Sequence, residues 1–201
     1  MTLHAGVVAV QGDVAEHGEA IRRAAAIHGE EAVVHEVRQS GVVPDCDLLL
    51  LPGGESTAIS RLLEREGIDG EIVAHVEAGK PTLATCAGLI VASRDARDER
   101  VSTLGVVDAV VDRNAFGRQV DSFEAPLDVA GLREPFPAVF IRAPAIAEVG
   151  PGVDVLATWD GRPVAVRDGP VVGTAFHPEL TSDPRIHDLA FFENEEAGFS
   201  P

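Results

Sequence analysis

The chain has 201 residues, 45% of them hydrophobic and 24% charged, an ordinary globular balance that leaves no room for a disordered or fibrous reading and sets the expectation of one domain over residues 1–201. No apolar run reaches the roughly eighteen residues of a membrane span, and the first ten residues carry neither a basic flank nor a cleavage-like site, so a cytoplasmic protein is expected. Thirty-three acidic residues against 16 basic ones give a net charge of −17, which repels phosphate backbones and anionic lipid, so neither nucleic acid nor a membrane is an expected partner.

From the N-terminus, apolar runs alternate with helix-period stretches, the pattern of a parallel sheet covered by helices. Gly6 to Val10 reads as a buried strand, followed by a helix capped by Asp13 whose Ile21, Ala24, Ala25 and Ile27 share one face before Gly29 ends it. Ala32 to Val37 reads as a second strand, Asp47 to Leu51 as a third that stops at Pro52-Gly53-Gly54 before a helix, and Pro81 to Thr85 as a fourth that breaks at Cys86 into a helix over Ala87 to Ser93. Beyond Leu104 the strand candidates crowd together: Gly105 to Val111, Ala138 to Ile141, Val153 to Thr158, Pro163 to Arg167 and Val171 to Phe176. Asp160-Gly161 and Asp168-Gly169 mark turns, and the last two strands read as a hairpin. Arg185 to Glu196 is predicted as a closing helix and Ala197 to Pro201 as a frayed tail.

Three short segments carry chemistry. Thr85-Cys86-Ala87-Gly88 puts a cysteine between small residues where a strand meets a helix, the geometry of a nucleophile elbow, and unpaired N–H groups at a helix start favour an anionic sulfur. That motif usually has glycine two residues before the nucleophile; here the residue is Ala84, and a buried structural cysteine is the alternative. His177-Pro178-Glu179 closes the last strand with an imidazole and a carboxylate two residues apart, hence on one face of extended backbone, as a proton relay needs. Leu51 to Ser56 is a glycine-rich turn between strand and helix whose N–H groups suit an oxyanion, or else simply turn the chain. His4, His17, His28, His35, His75 and His187 have no ligand-like spacing and read as structural. Cys46 and Cys86 lie forty positions apart without a C-x-x-C, so neither a disulfide framework nor a metal site is indicated.

Together with Val10-Gln11-Gly12-Asp13-Val14, Glu16-His17, the segment Arg113-Asn114-Ala115-Phe116-Gly117-Arg118-Gln119, Asp121-Ser122-Phe123-Glu124 and Phe140-Ile141-Arg142-Ala143-Pro144, these blocks resemble the class I glutamine amidotransferases nearly end to end. Within them the R-N-A-F-G-R-Q and F-I-R-A-P segments resemble the glutaminase subunits of pyridoxal 5′-phosphate synthase. The resemblance implies a flavodoxin-like three-layer α/β fold, with a mostly parallel central sheet and extra antiparallel strands in the C-terminal half. It implies a triad of Cys86, His177 and Glu179, L-glutamine held by Gly54, Glu55, Ser56, Arg113, Ile141 and Arg142, oxyanion donors at Gly53, Gly54 and Ala87, no cofactor or metal, and a synthase subunit as partner in a heteromeric complex that makes vitamin B6. Another class I glutaminase subunit, lacking the R-N-A-F-G-R-Q segment, and a catalytically silent regulatory subunit are the competing readings.

Only Lys80 among the 16 basic residues is a lysine, and tyrosine is absent. An acidic, lysine-poor surface suits concentrated salt, where a Debye length near 3 Å at about 1 M screens self-repulsion; high-GC codon bias is the alternative. On the salt-adapted reading the melting temperature rises as potassium chloride goes from dilute to molar, and a flat or falling melting temperature in a thermal scan would count against it.

Overall fold

The computed structural model describes residues 2–11, 14–113 and 122–192. Seven strands form the central sheet: β1 (Thr2–Val8), β2 (Glu31–Val37), β3 (Leu48–Leu51), β4 (Thr82–Thr85), β10 (Asp154–Trp159), β11 (Arg162–Asp168) and β12 (Val171–Thr174), in the order β10-β11-β12-β4-β3-β1-β2. From β12 to β2 every neighbouring pair is parallel, and β11 and β10 add antiparallel strands at one edge. The reason is legible in β3: four consecutive leucines leave no polar face, so Leu48 and Leu50 pack into one apolar layer while Leu49 and Leu51 pack into the other.

Helices α1 (Val14–Ile27) and α5 (Arg185–Phe191) cover the first layer, joined by a ribbon of β7 (Phe123–Leu127) and β8 (Phe136–Phe140) that contributes Phe136 and Phe140. Helices α2 (Ser56–Glu66), α3 (Asp69–Glu77) and α4 (Ala87–Ala92) cover the second, with a small sheet of β5 (Ser93–Asp95), β6 (Val107–Asp112) and β9 (Ala145–Val149) beside them. The three-layer α/β sandwich expected from the sequence is what forms. None of the described helices is long and apolar enough to cross a membrane.

The hairpins behave as their turn residues dictate. Asp160 and Gly161 both take positive φ, 49° and 72°, which matches the twist of β10 and β11, and Gly169 at φ 52° helps close β11 onto β12. The outermost strand β10 pairs irregularly, with register shifts between Val155 and Ala157 and between Ala157 and Thr158.

Several sequence expectations need correction. Ile27 is 61% exposed, because six residues on from Ile21 it has rotated about 120° from the buried stripe of Ile21, Ala24 and Ala25. Ser93 opens β5 and does not end the preceding helix. The strands β5, β7 and β9 and the helix α3 were not expected; β7 and β8 place Pro126 opposite Pro137, and proline argues against a strand when read from sequence alone. The predicted cap at Asp13, the Asn114 to Gln119 segment with Asp121, the Glu193 to Glu196 end of the closing helix and the tail lie outside the described residues.

One glycine fixes how α4 meets the sheet. A Cβ at Gly88 would lie 2.0 Å from the Leu51 carbonyl oxygen, a backbone atom that cannot step aside. At Gly173 an added Cβ would meet the tip of the Leu89 side chain at 2.5 Å, and that tip can rotate. Gly88→Ala is therefore expected to cost about 3 kcal/mol or more, and Gly173→Ala about 1 kcal/mol, read as shifts in denaturant midpoint at unchanged slope.

Candidate active site

The carboxyl ends of β1, β3, β4 and β12 deliver Gln11, Gly53, Cys86 and His177 to one edge of the sheet, the position where open α/β sheets bind ligands. At the end of β4, Cys86 donates its N–H to the Thr174 carbonyl of β12 at 2.8 Å, while its own carbonyl accepts the first helical bond, from Ile90 at 3.2 Å. Between those two bonds its backbone sits at φ 49°, ψ −110°, a strained conformation for a residue with a side chain. The turn is the elbow the sequence suggested. The close approach that the motif needs is made by Gly88, two residues after the cysteine, so Ala84 is tolerated in the buried strand.

His177 follows β12, its N–H bonded to the Val139 carbonyl of β8 at 2.8 Å, and Nδ1 donates to Glu179 Oε1 at 2.7 Å with both residues buried. Burial opposes charge on this imidazole. Hydrogen bonding to Cys86 and Glu179, with the electrostatic attraction of both groups, outweighs that and raises His177 to about 10. A Cβ on Gly53 would fall 2.9 Å from His177 Cε1 and 3.4 Å from Cys86 Cβ, so the glycine turn lies directly over both side chains. Thiol, imidazole and carboxylate thus meet beneath a loop of backbone donors, an arrangement suited to nucleophilic acyl transfer. By contrast, Cys46 is buried with its sulfur donating to the Val42 carbonyl at 3.4 Å, and burial pushes its thiol up.

The remaining predicted site residues lie on the loop after β3, at Arg113 paired with it, and after β8. Gly54 takes φ +142°, and Glu55 donates its N–H to Gln11 Oε1 at 2.6 Å, which pins the loop to the end of β1. The Glu55 carboxylate caps α2, accepting from Thr57 N at 3.1 Å and Ala58 N at 2.8 Å, with Ser56 buried at the first helical position. Arg113 donates to Thr57 Oγ1 at 2.7 Å and to Glu55 Oε1 at 3.1 Å, and Asp98 stands 3.5 Å away. Against a desolvation penalty, these backbone donors, the Thr57 hydroxyl and Arg113 hold the Glu55 carboxyl below its ordinary value. Ile141 and Arg142 follow β8, the strand that bonds His177, and Arg142 takes a positive φ of 43°.

A family model for the SNO glutamine amidotransferase family matches residues 7–196. The chain belongs to the SNO glutamine amidotransferase family. It is 74% identical over 197 residues to the pyridoxal 5′-phosphate synthase subunit PdxT of Haloarcula marismortui, covering 98% of this chain and 100% of that one. It is 52% identical over 186 residues to the subunit of the same name in Methanosarcina acetivorans, covering 90% and 94%. A crystal structure of a glutamine amidotransferase superposes with a TM-score of 0.82 at 46% identity over 92% of this chain and 95% of that one. A Thermotoga maritima glutamine amidotransferase shares the fold alone, with a TM-score of 0.62 at 12% identity over 93% of this chain and 89% of that one.

Sequence reasoning missed three contributors. Gln11, one residue of the Val10 to Val14 block, holds the loop. His17, read as structural, is fully buried against Glu179, and His187, also read as structural, is fully buried behind His17. Only the Glu16-His17 pair gave a signal, and nothing in the sequence joined it to residues 170 positions away.

The strain at Cys86 has a measurable sign. Cys86→Ala retains a side chain in the same conformation, whereas Cys86→Gly relieves it, so the glycine variant is expected to be more stable than the alanine variant by about 1 kcal/mol, opposite to the usual order of these residues. Denaturant unfolding of the two variants checks it.

Proposed function

We propose that residues 1–201 form one glutaminase unit that hydrolyses L-glutamine to L-glutamate and ammonia, and that it supplies the ammonia to the synthase subunit of a cytoplasmic pyridoxal 5′-phosphate synthase. The observation that carries this reading is the buried His177–Glu179 pair beside a strained cysteine, in a chain 74% identical to a subunit of that name.

In the proposed mechanism His177, with its raised proton affinity, holds the proton of the Cys86 thiol, and the sulfur attacks the side-chain amide carbon of glutamine. N–H groups of Ala87 and of the Gly53-Gly54 turn receive the oxyanion. The imidazolium, stabilised and oriented by Glu179, returns the proton to the leaving nitrogen, and the C–N bond breaks to release ammonia. Water, deprotonated by His177, then cleaves the γ-glutamyl thioester and restores the thiol. Arg113 and Glu55, paired at 3.1 Å, suit the two charged groups of a free amino acid: guanidinium toward the α-carboxylate, carboxylate toward the ammonium. Gly54, Ser56, Ile141 and Arg142 complete the glutamine pocket.

Glutamate release, with and without the synthase subunit, tests the assignment. Cys86→Ala abolishes it while Cys46→Ala does not. His177→Asn is nearly as damaging, because triad members act as a unit, and Glu179→Gln is milder. The free chain is expected to be slow and to gain at least about tenfold on docking, since one misoriented peptide in the glycine turn removes an oxyanion donor typically worth 10² to 10³ in turnover. Retained turnover in Cys86→Ala overturns the triad, and full activity of the free chain overturns the coupling.

A further inference from the structure

Glu179 is entirely buried, and of its two carboxylate oxygens only one is accounted for by the triad. Oε1 receives the His177 N–H; Oε2 lies in the interior with no hydrogen-bond partner among the described residues. His17 Nε2 of α1 stands 3.5 Å from it. That same nitrogen is 3.4 Å from Thr85 Oγ1, at the end of β4 next to the nucleophile. On its other side His17 Nδ1 is 3.2 Å from Nε2 of His187 on α5, and His187 Nδ1 has no hydrogen-bond partner among the described residues. His17, Glu179 and His187 form a continuous buried file behind His177, contributed by two helices and the turn after β12.

The proton positions in this file follow from what each atom faces. A lone pair on His17 Nε2 would face the lone pairs of a buried carboxylate oxygen, so the proton belongs on Nε2, within reach of Oε2 at 3.5 Å and of Thr85 Oγ1 at 3.4 Å. His17 Nδ1 is then an acceptor, filled by the Nε2–H of His187, whose own Nδ1 carries no proton. This assignment needs both outer rings to be neutral. Burial, then repulsion from His187 and His177, holds His17 well below its ordinary value, and burial with the Arg23 charge holds His187 down to about 3.

We propose that His17, held by His187, is a positioning residue for the triad: its Nε2–H closes on Glu179 Oε2 when substrate is bound, and keeps the carboxylate ionised and in the plane of the His177 ring. The inference rests on the triad reading. It explains why the interior keeps two histidines 170 residues apart in contact. A donor at 3.5 Å in the resting protein is the expected state, because catalytic hydrogen bonds commonly shorten only once substrate charge is present.

The test compares His17→Leu with His17→Gln, measured as glutamate release in the presence of the synthase subunit. Glutamine keeps an N–H donor at the position of Nε2; leucine fills the volume without one. For His17→Leu we expect kcat to fall about tenfold or more, the range carried by a hydrogen bond to a charged group, with KM nearly unchanged. We also expect the acid limb of kcat/KM to move to higher pH, since removing a donor from the carboxylate raises the proton affinity of the Glu179–His177 pair. His17→Gln should restore most of the rate and the original limb. Wild-type kcat and acid limb in His17→Leu overturn the proposal, and so does an equal loss in both variants at equal melting temperature, which would mean packing alone. Should the leucine variant not fold, nitrogen NMR of 15N-histidine-labelled wild-type protein decides: His17 is expected to be neutral with its proton on Nε2 throughout the neutral pH range, and a proton on Nδ1 or a titrating cation overturns the proposal. If Cys86→Ala itself retains activity, the failure belongs to the triad reading and not to His17.

Discussion

The peptide geometry at Cys86 is the constraint from which the site follows. A non-glycine residue at φ 49°, ψ −110° is stable only where its surroundings over-determine it, and here three contacts do so: the bond from Cys86 N to Thr174 O, the return bond from Ile90 N to Cys86 O, and the contact of Gly88 with the Leu51 carbonyl. Each contact uses a different strand or helix. The order of β12, β4 and β3 in the sheet is therefore what aims the sulfur, and the parallel register, set by apolar residues buried on both faces, is what fixes that order.

Around this point the protein separates imidazoles of the same intrinsic basicity by their surroundings. His177 has one carboxylate bond and an adjacent sulfur, and is raised to about 10. His187 has burial and a nearby guanidinium, and is lowered to about 3. The difference lies in which ring has an anion to lean on in a low-dielectric interior, so a cation is confined to the one ring that faces the nucleophile. Glu179 is the boundary between the two regimes.

How much of this was legible in the sequence depends on how local each feature is. The elbow, the histidine and glutamate two residues apart, and the glycine turn each lie within six consecutive residues, and strand periodicity places all three at the ends of strands. The four leucines of β3 declare a strand buried on both faces. What escaped was either contradicted by local chemistry or assembled from afar. Pro126 and Pro137 hid the β7–β8 ribbon although they sit opposite one another in its register. His17 on α1 looked like any polar position on an amphipathic helix, because its partners arrive from the other end of the chain. Glu55 was read as a ligand for substrate, while its capping of α2 gives it a second task that sequence spacing does not separate from the first.

The irregular pairing of β10 bears on how copies of this chain stay apart. In dilute buffer a net charge of −17 keeps them separated. At molar salt the same charge acts over only about 3 Å, and a regular, unpaired strand rim would invite another chain to add to it. The register shifts along β10 break the repeat of donors and acceptors on one rim, and on the other, β2 exposes the Glu31 side chain at close range, where screening matters least. Colloidal stability in brine then rests on the shape of the sheet margins, so straightening β10 would promote fibrous association in salt before it altered anything at the nucleophile.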